Sequence, residues 1–426
     1  MKISEMHVTP IAIADPPLLN AAGLHAPFAL RIIVELVTDN GLSGWGEIPG
    51  SEKTRQALEQ FREHVIGKDP FQLNEIFAAL NDSASGETRG KAPWDQRQTV
   101  HVQSAIEVAC YDLMGKAIGR PVVDLLGGKA RDKVPFAAYL FYKYEGAGGD
   151  FGMELDDTAT GWFAARQQAA LDPTGVVAQA KAMVEHYGFK SIKLKGGVFE
   201  PAIEVESMIA LKEAFDEGVP LRLDPNAIWT VETAIRAGKQ LEGVLEYYED
   251  PVRGQENMGA VAKAVDLPLA TNMCTTSFED LPGSVRWQSE AIILSDHHFW
   301  GGFRASLELA RFCRTFGRGM SMHSNSHLGI SLAAMTHMAA AVPNLNYALD
   351  THYPWQDGDA EIVANPLQFV DGSIKVPDAP GLGVEVDREK LAARHQKYIE
   401  CGLTERNDEI EMQKVQPGWT FQPTRW

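Results

Sequence analysis

The chain has 426 residues, with 39 Lys+Arg against 57 Asp+Glu and a net charge of −18. An apolar fraction of 45% beside 23% charged residues is that of a folded globular protein and excludes a disordered chain. So acidic a balance also excludes non-specific nucleic-acid binding, which needs clustered Lys and Arg to displace counterions.

The N-terminus, MKISEMHVTPIAIADPP, has a basic start but no continuous apolar run, so no signal peptide is expected. ISEMHVTPIAI and FALRIIVELVTDNGLSGWGEI read as strands rich in Val, Ile and Leu, with Asp39-Asn40-Gly41 as a turn. SEKTRQALEQFREHVIG and VQSAIEVACYDLMGKAIG carry apolar residues at helical spacing, the second stopped by Gly119. Strands followed by helices predict an α+β unit over residues 1–131.

From about residue 133 short apolar strands alternate with helical patterns. Eight segments qualify: PFAAYLF, FKSIKLK, LRLD, VLEYYED, LPLATN, AIILSD, GMSMHS and NYALD. From Asp224 their polar ends step by 25, 23, 24, 27 and 27 residues, through Glu249, Asn272, Asp296 and His323 to Asp350. Each step is one βα unit, and eight units predict an α/β fold, a (β/α)8 barrel over residues 132–375. The longer first step holds EGAGGDFGMELDDTATGW, read as part of a lid. Gly319–Leu349 lacks Asp, Glu, Lys and Arg, yet its His, Ser, Asn and Pro residues exclude a membrane span. It reads as a polar loop and a buried amphipathic helix. EIVANPLQFVDGSIKVP then predicts a hairpin with Asp371-Gly372 at its turn, and DREKLAARHQKYIE a helix. The tail, about 376–426, is expected to pack on the capping unit. Cys110, Cys274, Cys313 and Cys401 show no metal spacing and read as free thiols of a reducing, cytoplasmic compartment.

In such barrels the C-terminal strand ends converge on the active site. Asp224, Glu249 and Asn272 end three consecutive strands and are hard oxygen donors suited to Mg2+. Any one alone is as readily a helix cap. Lys193 and Lys195 alternate onto one face, the interior, where mutual repulsion is expected to lower their pKa values and make a base. His323 ends strand seven and Asp296 strand six, an arrangement that can fix the imidazole's tautomer and raise its basicity. A cation flanked by a lysine base and a histidine base suits removal of a proton next to a carboxylate.

HYGFKSIKLKGG, LRLDPNAIW, YYEDP, LPLATNMC, LSDHHFWGG, MHSNSHLGISLAAMTHMAAAVP, ALDTHYPWQ, PGLGVEVD and PGWTF together resemble the enolase superfamily, in particular its glucarate dehydratase subgroup. The resemblance implies Mg2+ on Asp224, Glu249 and Asn272, with Lys195 and His323 as bases on opposite faces of the substrate carbon. It implies that Lys193 steadies the enediolate, that Asp296 supports His323, and that Asn226 lies in the same mouth. It maps substrate contacts onto Asn20 and His25 in a mobile capping loop, Tyr139 and Phe141 on strand one, Ser324 and Asn325 after the base, His352 after strand eight, and Arg406 in the tail. One position departs: Pro93 falls near the family's threonine contact, with Thr99 close but shifted, which leaves the identity of the aldaric acid open. The implied activity is a Mg2+-dependent hydro-lyase acting on a sugar diacid, D-glucarate first, in a homo-oligomer without nucleic-acid or membrane partners. Another acid-sugar dehydratase or epimerase, or a low-activity relative that binds acid sugars or partners an active subunit, would carry much of the same ring.

Overall fold

Runs rich in Val, Ile and Leu build an antiparallel sheet of β1 (Ile3–Ala14), β2 (Phe28–Thr38) and β3 (Ser43–Pro49), with β2 in the middle. The structure, a computed structural model, describes residues 1–83 and 87–426. Two helices cover the sheet. Glu52–Val65 starts at Ser51, whose side chain accepts from the Thr54 amide, and Gln98–Ile118 ends at the left-handed Gly119 (φ 69°). The longer helix lies so close to β3 that a Cβ on Gly46 would meet the Ala105 carbonyl oxygen at 2.1 Å. Ile32, Val34, Leu36, Val102, Ile106 and Leu113 fill this unit's own core.

The recurrent short strands form one parallel sheet, in chain order from end to end: β4 (Ala138–Phe141), β5 (Ile192–Lys195), β6 (Leu221–Asp224), β7 (Tyr247–Glu249), β8 (Leu269–Thr271), β9 (Ile292–Ser295) and β10 (Gly319–Met322). The register places Lys195 beside Asp224 and Phe141 beside Lys195, so the polar strand ends lie level. The eighth expected strand, NYALD, is not continuous. Two isolated parallel bridges, Met320↔Leu345 and Phe136↔Leu349, close the ring in its place. The Asn346 amide donates to the Met320 carbonyl (3.2 Å), but Asn346-Tyr347-Ala348 forms no continuous strand between the bridges.

The remaining elements follow their patterns with two differences. Gly329–Ala341 is a helix buried on every side, not an amphipathic one. The Gly/Asp-rich segment after β4 lies along the capping unit, where Asp150 pairs with Lys397 at 2.9 Å and Gly148 abuts the Asp15 carbonyl. Asp371 and Gly372 both take positive φ (50° and 70°), the twist of a tight hairpin turn. The Arg388–Cys401 helix packs on β1. The aromatic tail docks at the barrel mouth, with Arg425 Nη2 donating to the carbonyls of Gly197 (2.7 Å) and Ala21 (3.1 Å). All four cysteines are free, and among the described residues no helix is long and apolar enough to cross a membrane.

Candidate active site

The level strand ends bring five charged side chains into one dry place. Asp224, Glu249, Lys193 and Asp350 are fully buried, and Lys195 nearly so. Lys193 Nζ lies 2.6 Å from both Glu249 carboxylate oxygens and from Asp350 Oδ2, and 3.6 Å from Asp224 Oδ2. Lys195 Nζ donates to Asp224 Oδ2 at 2.6 Å. Asn272 Nδ2 donates to Glu249 Oε1 at 2.9 Å, and the Asn226 backbone and side-chain amides both donate to Asp224 Oδ1.

These contacts correct the expectation that the two lysines lower each other's pKa. Burial lowers Lys193, but Asp350 and Glu249 outweigh it and hold the ammonium well above its ordinary value. Burial likewise works against the charge of Asp224, and Lys195 and Lys193 overcome it, so this carboxyl sits below the usual range. Glu249 goes the other way: burial, with Asp224 and Asp350 adding to it against Lys193, pushes its carboxyl up.

The donor set fits a hard divalent cation. Asp224, Glu249 and Asn272 offer hard oxygen donors at the ends of three adjacent strands. The side-chain oxygen of Asn226, beside Asp224, reaches no hydrogen-bond partner among the described residues.

On the other side of the mouth His323 follows β10, its Nδ1 3.2 Å from Asp296 Oδ2. Burial lowers the His323 pKa and Asp296 only partly offsets it, so the ring is neutral at neutral pH and able to take a proton. His352 is linked to Ser324 Oγ through Nδ1 (3.1 Å). Its ring packs against Tyr139 and Phe141, at centroid distances of 4.7 and 5.2 Å.

One small cavity gathers Asn20, His25, Tyr139, Phe141, Lys195, His323, Ser324, Asn325, His352 and Arg406, residues spread over almost the whole chain. Asp224, Glu249, Asn272, Asn226, Lys193 and Asp296 stand behind that wall. The capping residues are tied to one another. His25 Nδ1 is 2.9 Å from Asp15 and its Nε2 is 2.8 Å from Arg406 Nη2, while Arg406 and Asn20 both donate to Asp408. Pro93 lines the same cavity; Thr99 does not, and its amide instead donates to Glu87 at the start of the long helix. The Gly/Asp-rich segment after β4, read as a lid, contributes nothing to this wall.

Sequence reasoning missed several participants. Asp350 was visible as a strand end but was given no role, because its partner Lys193 is 157 residues away. Asp250, next to Glu249, accepts from Thr271 Oγ1 (2.5 Å) and the amides of Asn272 (2.8 Å) and Met273 (3.1 Å), and so fixes the Asn272 loop. Its positive φ of 35° turns the carboxylate that way. Trp94 and Phe299 also line the cavity, with Trp94 stacked under the Arg406 guanidinium at 4.4 Å and Phe299 against His323 at 5.0 Å. The sequence gives no periodic signal for either.

A parallel barrel with carboxylates, lysines and a His–Asp pair at its strand ends, closed by an α+β cap, is an enzyme active site of the barrel type. The chain belongs to the enolase superfamily: residues 175–390 match the enolase C-terminal domain-like family, and residues 11–127 the N-terminal domain of the mandelate racemase / muconate lactonizing enzyme family. It is 46% identical to a probable glucarate dehydratase of Streptomyces coelicolor, over 100% of this chain and 99% of that protein. An enolase from Gibberella zeae, crystallised with magnesium, formate and sulfate, superposes with a TM-score of 0.93 at 48% identity, covering 100% of this chain and 97% of that one. An enolase from Pseudomonas fluorescens with bound magnesium, potassium and tartrate superposes with a TM-score of 0.90 at 46% identity, covering 99% and 98%.

Proposed function

We propose that this protein is a Mg2+-dependent acid-sugar dehydratase acting on a sugar diacid, with D-glucarate as first candidate. The observation that carries the reading is the single cavity, with Lys195 and His323 on its barrel side and His25 and Arg406 on its cap side. A guanidinium over Trp94 suits a carboxylate remote from the proton that is removed. The full-length likeness to a probable glucarate dehydratase supports the choice of diacid. So does tartrate, itself a hydroxy diacid, bound with magnesium in the Pseudomonas relative.

Asp224, Glu249 and Asn272 hold the ion, which supplies charge stabilisation to the reacting carboxylate. Lys193, pinned between Glu249 and Asp350, keeps its positive charge and stabilises the enediolate. An α-proton facing His323 passes to the neutral imidazole, which returns it to the departing β-hydroxyl; water leaves, and the enol product tautomerises to a keto acid. For the opposite configuration Lys195, having first released its own proton, is the base, and His323 must start protonated to release the hydroxyl. Asn20, Tyr139, Phe141, Ser324, Asn325 and His352 orient the carbon chain, and Asn226, behind the wall, holds Asp224 through two donated hydrogen bonds. Pro93 offers no donor at its place on the wall, so the distal hydroxyl is recognised by neighbours such as Asn20 and His25.

The test is a panel of sugar diacids and monoacids with purified protein, assayed for 2-keto acid. D-glucarate is expected to turn over with Mg2+ and to stop turning over in excess chelator. Turnover of a different acid sugar reassigns the substrate, turnover in chelator removes the metal assignment, and binding without turnover makes the protein a non-catalytic relative.

A further inference from the structure

The capping segment that carries Asn20 and His25 is anchored from three sides. On the barrel, the Leu19 amide donates to the Tyr142 carbonyl (2.8 Å) and the Tyr144 amide to the Pro17 carbonyl (3.1 Å), just past β4. On the Asp408–Val415 helix, Asp408 accepts from the Asn20 side chain, and a Cβ on Gly23 (φ 128°) would meet the Asp408 carbonyl oxygen at 2.3 Å. The third anchor is Arg425, whose Nη2 donates to the Ala21 carbonyl at 3.1 Å.

That same nitrogen donates to the Gly197 carbonyl at 2.7 Å, two residues past Lys195. A terminal guanidinium nitrogen carries two N–H groups, so one atom serves both carbonyls, and a charged donor makes stronger bonds than a neutral one. The Gly197 peptide is thus held at both ends, its amide by Glu204 Oε2 (2.9 Å) and its carbonyl by Arg425. Arg425 is itself seated on the loop after β6. Its backbone amide donates to the Ile228 carbonyl (2.6 Å), and Thr230 Oγ1 donates to the Trp426 carbonyl (2.8 Å). Its guanidinium lies 4.7 Å from the Trp426 ring and 5.7 Å from that of Trp419, which fixes the side chain's direction. Arg425 does not line the catalytic cavity, whereas Asn20, His25 and Lys195 do.

We infer that Arg425 is a positioning residue that clamps the Asn20–His25 segment to the loop after Lys195 and so keeps the cap-side wall of the cavity formed before substrate arrives. Without the clamp the substrate has to order that segment itself. The cost then falls on binding, since only the fraction of molecules with the wall in place is ready to bind. The chemical step is spared, because Arg425 touches neither Lys195 nor His323. The effect on turnover rests on the proposed function; the clamp does not.

Two variants test it: Arg425→Gln, a shorter neutral amide that cannot bridge the two carbonyls, and Arg425→Lys, which keeps the charge. Backbone amide hydrogen exchange is followed without substrate at Leu19 and His25, which donate to the Tyr142 and Leu18 carbonyls on either side of Ala21. In the Gln variant both should exchange about tenfold faster or more, with the Lys variant in between. The Tyr248 amide, bonded to the Pro268 carbonyl in the barrel, should keep its rate. Unchanged exchange at Leu19 and His25 overturns the inference. An equal rise at Tyr248 also overturns it, because Arg425 would then support the whole fold. In turnover of an acid sugar with Mg2+, the Gln variant should raise KM about tenfold, leave kcat within about twofold, and be partly rescued by Lys. A lower kcat at unchanged KM would mean that Arg425 acts on the chemistry and not on the capping segment, and the inference falls. Wild-type protein that turns over no acid sugar would defeat the proposed function, while the exchange measurement still decides the clamp.

Discussion

At Asp296 a single carboxylate fixes the orientation of His323, and replacing it with Asn would present an N–H or a neutral oxygen to the imidazole. The wrong tautomer of a base costs about 10⁴-fold in a comparable hydrogen-bonded pair. Asp296→Asn is therefore expected to lower solvent-deuterium exchange into the substrate whose proton faces His323 by two orders of magnitude or more. Exchange into the oppositely configured epimer, run by Lys195, should survive better; equal loss for both would mean that Asp296 holds the whole site together. His25 bridges Asp15 and Arg406, so His25→Ala removes a wall of the cavity and a restraint on the guanidinium. It should reduce kcat/KM for the diacid about tenfold or more, in the range of losing one charged hydrogen bond; an unchanged value would take His25 out of the site. Asp224, Glu249, Asn272, Lys193, Lys195 and His323 were legible because strand spacing alone places them at one end of a barrel. Asp250 was not, and Asp350 was legible as a strand end but not as the partner of Lys193. Their importance lies in contacts made across the ring, which no local pattern records.

The loop after β5 shows how an element holds the Lys195 strand end in place. Glu204, on the Pro201–Ala214 helix, accepts from the amides of Gly197, Val198 and Phe199, just past Lys195. Burial raises this carboxyl from 4.5 to about 7, against the pull of those amides. Between those values the folded protein keeps a proton that the unfolded chain has released. The group's stabilising contribution is thus fully present below pH 4.5 and lost as pH rises through 7, by about 3 kcal/mol at most. Glu204→Gln should flatten this part of the stability curve, measured by urea unfolding at pH 5 and pH 8; an unchanged difference between the two would show that Glu204 does not titrate there. The same scale explains what the sequence could tell of the elements. Seven barrel strands, the cap sheet, its helices and the Asp371-Gly372 turn follow from apolar runs and turn residues. NYALD had the right spacing and apolar content for a strand but closes the ring by bridges alone, and the helix after His323 is buried on all sides by neighbours its own pattern does not name.

Over the whole molecule the charge of −18 opposes the approach of a dianion, although the cavity itself offers Lys195 and Arg406. The two effects separate by distance. Bulk salt screens charges more than about 8–10 Å apart at physiological ionic strength, so it weakens the long-range repulsion first. The binding contacts lie among buried side chains such as His25, Lys195 and His323, where screening is weak. At saturating Mg2+, raising KCl from about 20 to about 150 mM, from a Debye length of roughly 20 Å to one near 8 Å, is therefore expected to raise kcat/KM for the diacid a few-fold and to leave kcat unchanged. A neutral sugar-acid amide run in parallel should respond less, since it meets no net repulsion. A fall in kcat/KM with salt would mean that a positive potential at the mouth outweighs the charge of the rest of the molecule and steers the substrate in. Recognition would then begin well outside the cavity and not at its wall.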